Sequence, residues 1–216
     1  MTSSVVFLGP SLDHASAQPL VNARFLPPVA RGDIDRLLTT EVPDAIGIVD
    51  GQFFQSLSIS PKEVLRALDA GSRVFGASSM GALRAVELAP YGMVGVGEIY
   101  RLYASGTVDA DDEVAMVYDT ETLRPLSVPL VNMRLALDAA VAQELTTPAF
   151  AARFLEVAQS LHYPDRTYPG VFTLLSDEPA PAGALEDFLQ RHNAKRDDAV
   201  EMLTEMDRYL TAASGS

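Results

Sequence analysis

The densest chemical signal in the chain is the run Gly76-Ala77-Ser78-Ser79-Met80-Gly81. Small residues on both sides of a serine let the backbone turn sharply and hold a hydroxyl clear of a sheet. A helix that begins there offers free N–H groups to a developing oxyanion. This is the logic of a nucleophile elbow, with Ala77 in place of the first glycine of G-x-S-x-G. Ser79 is the candidate nucleophile, and Ser78, Met80 and Gly81 are candidate oxyanion and substrate contacts. The plainer alternative is a serine that caps an Ala-rich helix after a Gly-ended strand.

A serine nucleophile needs a base. His14 lies in a loop after the first apolar run, and His162 and His192 close late helices, where a cation is favoured for ordinary reasons. The lysines are more informative, because Lys62 and Lys195 are the only two in the chain. Lys62 falls in the first turn of a predicted helix, where the positive end of the helix dipole disfavours a cation. Desolvation there would favour a neutral amine, the form that activates a serine in a Ser–Lys hydrolase. The competing possibility is an exposed lysine reaching into water.

Other candidates lie close to predicted strand ends. Gly9, Pro10 and Ser11 follow the first apolar run and could bind an anion or shape an oxyanion pocket. Asp50, before Gly51, falls along the same carboxyl edge, where open α/β sheets place their sites; Asp-Gly is also an ordinary turn former. Asp109-Ala110-Asp111-Asp112-Glu113 puts four acids in five residues without the spacing of a calcium loop. Asp111, Asp112 and Glu113 therefore suggest a solvated turn or a patch for a basic partner. Arg84 and Glu87, three apart on one helix, suggest a surface or interface ion pair.

The elements that would carry these residues are legible as apolar runs and stop signals. Val5-Val6-Phe7-Leu8, Ala45-Ile46-Gly47-Ile48-Val49 and Arg73-Val74-Phe75 are short β-rich runs, each ended by a glycine within two residues. Between the second and third, Ser60, Pro61 and Glu63 form a capping box for a helix that Gly71 stops. A second helix runs from about Ser79 to Leu88. Buried strands alternating with helices predict an α/β fold with a mainly parallel sheet sandwiched by helices. Residues 92–128 are mixed: Gly92, Gly95 and Gly97 precede a helix near 99–103, and 113–118 with 124–128 suggest a hairpin. Helical spacing then dominates 131–144, 149–161, 183–192 and 194–212, an all-helical C-terminal extension. Residues 176–182 suggest a connector and 214–216 a frayed tail.

Composition narrows the function classes. The 216 residues are 48% hydrophobic and 21% charged, with no cysteine and a net charge of −13. A surface that negative repels phosphate backbones and anionic lipid, so neither nucleic acid nor membrane is expected as a partner. Zinc-thiolate, disulfide and cysteine-nucleophile chemistry are excluded. No cofactor or metal is expected. The longest apolar run near the start is too short for a signal segment, and a cytoplasmic protein is expected.

Taken as an ordered series, several blocks resemble the TfuA-like family. They are Val6-Phe7-Leu8-Gly9-Pro10-Ser11, Pro27-Pro28 with Gly32-Asp33, Ile46-Gly47-Ile48-Val49-Asp50-Gly51, Lys62-Glu63, Gly76-Ala77-Ser78-Ser79-Met80-Gly81-Ala82-Leu83-Arg84-Ala85 with Glu87-Leu88, Gly92-Met93 with Gly95 and Gly97, Asp111-Asp112-Glu113-Val114, and Val131-Asn132 with Arg134. The resemblance spans about residues 5–135. It implies a TfuA-like α/β core domain over 1–135 and leaves 136–216 as a helical C-terminal region. It also implies a partner of a YcaO-type enzyme in peptide backbone thioamidation. In that scheme the protein hydrolyses a thiocarboxylated ThiS-like sulfur carrier and releases sulfide beside the YcaO enzyme and its precursor peptide. Ser79 matches the nucleophile and Lys62 the base. The chain departs from the family pattern at Pro61, where a His usually precedes the Lys-Glu pair. The alternative is a non-catalytic adaptor that recruits or activates the YcaO enzyme and its peptide substrate.

Overall fold

The computed structural model describes residues 3–53, 57–177 and 183–215. In chain order the elements are β1 (Ser4–Phe7), α1 (His14–Ala17), β2 (Arg24–Leu26), α2 (Asp33–Thr40), β3 (Ala45–Ile48), α3 (Pro61–Asp69), β4 (Arg73–Gly76), α4 (Met80–Leu88), β5 (Val94–Gly95), α5 (Glu98–Ala104), α6 (Leu130–Ala142), α7 (Pro148–Ser160), α8 (Tyr168–Leu174), α9 (Ala184–Arg191) and α10 (Ala194–Ser214). Among the described residues, no helix is long and apolar enough to cross a membrane.

The five strands form one fully parallel sheet in the order β2-β1-β3-β4-β5. Side chains alternate between two cores, as the two-residue strand period requires. Val5, Phe7, Ile46, Ile48 and Val74 join Ile34, Val64, Ala67, Ala85 and Leu88 of α2, α3 and α4 on one face. Val6, Leu8, Val49 and Phe75 join Ala17 of α1 and Ala199, Met202, Leu203, Met206 and Leu210 of α10 on the other. A sheet buried on both faces accounts for continuous apolar strand runs with no polar alternation. The expected helix-covered parallel sheet is the architecture observed. The two edge strands have little apolar pattern of their own: β2 is three residues and β5 two, and neither stood out in the sequence.

The chain forms two compact units, Met1–Asp109 with Lys195–Ser216, and Ala110–Ala194. This differs from a division at 135/136 at both ends. Ala199, Met202, Leu203, Met206 and Leu210 of α10 pack on the Val6 face of the sheet. A Cβ added at Gly47 would lie 3.0 Å from Met202 Cε and 3.2 Å from Met206 Sδ, so the last helix packs close on the middle strand. The second unit surrounds α6 with α7, α8 and α9 about a core of Met133, Leu137, Phe154, Val171, Leu185 and Leu189. The anticipated hairpin is reduced there to one bridge, Tyr118 to Pro125. The Asp119 carboxylate organises its turn by accepting from the amides of Glu121 and Thr122, at 3.0 and 2.8 Å. Part of the expected connector, 178–182, and the last tail residue lie outside the described residues; α10 itself continues through Ser214.

The seating of α4 on the sheet depends on backbone-to-backbone approach. A Cβ at Gly81 would sit 1.7 Å from the Ile48 carbonyl oxygen, and one at Gly76 would sit 2.2 Å from the Gly81 carbonyl oxygen. By contrast, Gly71 has φ +101° but nothing within 4 Å of an added Cβ. In urea unfolding, Gly71→Ala is expected to cost about 1–2 kcal/mol, the price of a left-handed alanine. Gly81→Ala is expected to cost at least about 3 kcal/mol, because rigid backbone must shift. Equal losses in the two variants would contradict the close approach of α4 to β3.

Candidate functional site

At the carboxyl end of β4 the chain turns within three residues. Ala77 N–H donates to the Ile48 carbonyl at 3.1 Å, Ser79 N–H doubles back to the Ala77 carbonyl at 2.8 Å, and Gly81 N–H reaches the Val49 carbonyl at 3.3 Å. Ser78 adopts φ +67°, a left-handed conformation that costs a non-glycine residue of order 1 kcal/mol and recurs at functional sites. Ser79 occupies the N-cap position of α4, yet its side chain makes no capping hydrogen bond. The plainer explanation of this serine, a helix cap, therefore does not describe it.

The Ser79 hydroxyl is committed elsewhere. Lys195 Nζ lies 3.0 Å from Ser79 Oγ and donates to it. Ser79 is 2% exposed and Lys195 1%, so the contact is shielded from bulk water. Burial brings the Lys195 amine down to about 8 from the ordinary lysine value of 10.5, against the opposing attraction of the Asp50 carboxylate. Its place in the first turn of α10 acts in the same direction, since the positive helix end disfavours an ammonium. An amine that loses its proton near neutrality can receive a serine proton along the line of the same hydrogen bond.

The first turn of α10 is fixed by a second polar anchor. Asp198, 3% exposed, accepts from the amides of Glu98 and Ile99 at 2.8 Å each, at the start of α5. A Cβ at Gly97, which has φ +96°, would lie 2.2 Å from Asp198 Cγ, so glycine is required where the carboxylate meets this helix end. Burial outweighs the two amide bonds and raises the Asp198 carboxyl to about 6.

Asp50 closes the arrangement from the end of β3. Its Oδ2 accepts from the amides of Gly9 and Ser11 at 2.9 and 3.1 Å, and its Oδ1 from the Ser11 hydroxyl at 2.6 Å. The donors of Gly9 and Ser11 are thereby spent inside the protein, and Pro10 has no N–H to offer. The turn expected to bind an anion, or to line an oxyanion pocket, instead holds a carboxylate. In this sheet order β1 and β3 flank the point where the strand sequence reverses, the usual ligand position of doubly wound folds.

The remaining expectations divide. Lys62 is exposed on α3, and the lysine beside Ser79 is instead Lys195, 116 positions from the serine in sequence. The Lys62 amide serves the Ser60 cap, and Glu63 accepts from the amides of Ser60 and Gly32. The rule that singled out Lys62, a rare lysine in the first turn of a helix, applies equally to Lys195 and could have found it. Gly81 has its N–H engaged and acts through its lack of a side chain, whereas the amides of Ser78 and Met80 donate to no protein acceptor among the described residues. The Ser78 hydroxyl is buried and has no hydrogen-bond partner among the described residues. Arg84, expected at a partner surface, ties α4 to the preceding segment through the Ile59 carbonyl at 3.0 Å and the Ser58 hydroxyl at 3.2 Å, besides pairing with Glu87 at 2.8 Å. In the second unit, Asp112 pairs with Arg166 and Glu113 with Arg134, each at 2.6 Å, so both acids tie a short turn to the helices; Asp111 is exposed.

The family model described as TfuA-like protein matches residues 50–167, more than half of the chain. The matched segment holds Asp50, Ser79 and the acidic turn, and stops short of Lys195. No curated protein matches the chain.

Burial of the Lys195 amine sets a signed pH dependence. Its folded value is depressed, so the unfolded chain holds the proton more tightly between about pH 8 and 10.5. Across that window the fold gains stability as pH rises, and that gain is lost as pH falls through about 8. Lys195→Met removes the group while keeping apolar volume. The stability advantage of this variant over wild type is expected to shrink by roughly 2–3 kcal/mol between pH 7 and pH 10 in urea titrations. A difference that stays constant over that range would contradict a depressed amine.

Proposed function

The chain belongs to the TfuA-like family, which is associated with YcaO-type thioamidation systems, and on that premise we propose that it is the hydrolase that frees sulfide from a thiocarboxylated ThiS-like carrier protein. The observation that carries this reading is the buried 3.0 Å contact between Ser79 Oγ and Lys195 Nζ at the mouth of a strand-to-helix bend. A serine used only as a helix cap would direct its hydroxyl to the helix amides, and Ser79 does not.

The chemistry balances with these residues and one water. Neutral Lys195 removes the Ser79 proton as the serine oxygen attacks the thiocarboxylate carbon. The charge that develops on the carbonyl oxygen is met by the Met80 amide and the positive end of α4. The Lys195 ammonium returns the proton to the departing sulfur, which leaves as hydrosulfide and gives a Ser79 ester. Lys195, neutral again, takes a proton from water, hydroxide adds to the ester, and the proton passes to the leaving serine oxygen. The net reaction converts a thiocarboxylate and water to a carboxylate, hydrosulfide and a proton. Sulfide released next to a docked YcaO-type enzyme reaches that enzyme at a higher effective concentration than free sulfide in solution.

The purified protein incubated with thiocarboxylated carrier is expected to release sulfide. Ser79→Ala and Lys195→Met are expected to lower the rate by at least about 1,000-fold, the scale seen when a nucleophile or its base is removed. Lys62→Arg is expected to stay within about two-fold of wild type. The rate should climb with pH through about 8, following loss of the Lys195 proton. An adaptor that only recruits the YcaO-type enzyme predicts the reverse: Ser79→Ala would support thioamidation as well as wild type, from carrier and from free sulfide alike.

A further inference from the structure

We propose that Asp50 is a positioning residue for Lys195, and that the Gly9-Pro10-Ser11 turn holds its carboxylate in place. The inference rests on the Ser79–Lys195 reading and adds a third member to it.

Asp50 is 2% exposed and Ser11 3%, so three hydrogen bonds to one carboxylate are made away from water. Two of the donors are backbone amides of a turn braced by close packing: a Cβ at Gly9 would lie 2.4 Å from Pro28 Cγ. A carboxylate held this way cannot swing, and it abuts the bend that holds Lys195: Val49 before it accepts from Gly81 N–H at 3.3 Å, a Cβ on Gly51 after it would lie 2.8 Å from Met80 Cγ, and Ser79 of that bend receives Lys195 Nζ at 3.0 Å. The buried acid on α10 itself, Asp198, is directed away to the amides of Glu98 and Ile99. When Lys195 takes the serine proton it becomes an ammonium in a site without bulk water. A fixed neighbouring anion stabilises that charge at the moment it forms and needs no reorganisation. This explains why a turn at the end of β1 spends every available donor on an acid at the end of β3.

Lys62 and Lys195 are the only lysines, so lysine-selective ¹³C labelling gives two side-chain signals, assigned with Lys62→Arg. In Asp50→Asn the Lys195 titration midpoint is expected to fall by about one pH unit, because a neighbouring anion no longer favours the ammonium. The kcat for sulfide release should fall about 100-fold with KM within about two-fold. A folded Asp50→Asn protein whose Lys195 midpoint matches wild type overturns the proposal. Should that variant not fold by circular dichroism, Ser11→Ala decides: it keeps the charge but loses the 2.6 Å bond. Its kcat should fall about five-fold at unchanged KM, and a wild-type kcat overturns the proposal. A wild-type protein that releases no sulfide defeats the hydrolase reading alone, since the titration of Lys195 in Asp50→Asn still decides the pairing.

Discussion

An amine held out of water is the constraint around which the first unit is organised. Burying an ammonium is expensive, and a protein tolerates it only where partners are fixed in advance. Here the partners are a serine hydroxyl at 3.0 Å and the charge of a carboxylate that is itself triply hydrogen-bonded. The burial is incompletely compensated, which is why the amine titrates near 8 instead of 10.5. A fold selected for stability alone would place an apolar side chain there. Retaining the lysine makes sense if its proton has to come and go.

Holding that group requires three backbone ends to meet. Gly76 and Gly81 let α4 rest directly on the ends of β3 and β4, so the serine bend sits over the sheet edge without a side chain between. The β1 turn and the β3 end meet through Asp50, and α10 enters from the other face of the sheet, fixed by Met202 and Met206 over Gly47 and by Asp198 on the start of α5. Apart from Gly76 against Gly81, these contacts join residues far apart in sequence. The site is therefore a property of the assembled sheet rather than of any one loop.

The acidic turn shows what composition leaves open. Four acids in five residues suggest a docking patch, but Asp112 and Glu113 are matched by Arg166 and Arg134 within the second unit. Arg84 behaves alike, with its guanidinium turned to the Ile59 carbonyl. Charged residues in a net-acidic chain are read from sequence as surface by default, while their pairing is decided by which helices pack together.

The sequence by itself determined what is local. Short β-rich runs closed by glycine marked three of the five strands, the Ser60-Pro61-Glu63 box marked the start of α3, and small residues about Ser79 marked the bend, because each is governed by sterics and hydrogen bonds within a few residues. Strand order, the two short edge strands and the return of α10 to the sheet were decided by tertiary packing, which a reading of neighbours along the chain does not contain. The same distinction explains the lysine. Both lysines occupy the first turn of a helix, and nothing within either helix separates them. Only the packing of α10 on the sheet buries Lys195 beside Ser79 and leaves Lys62 in water, because burial is a property of the whole chain and not of the turn that carries the residue.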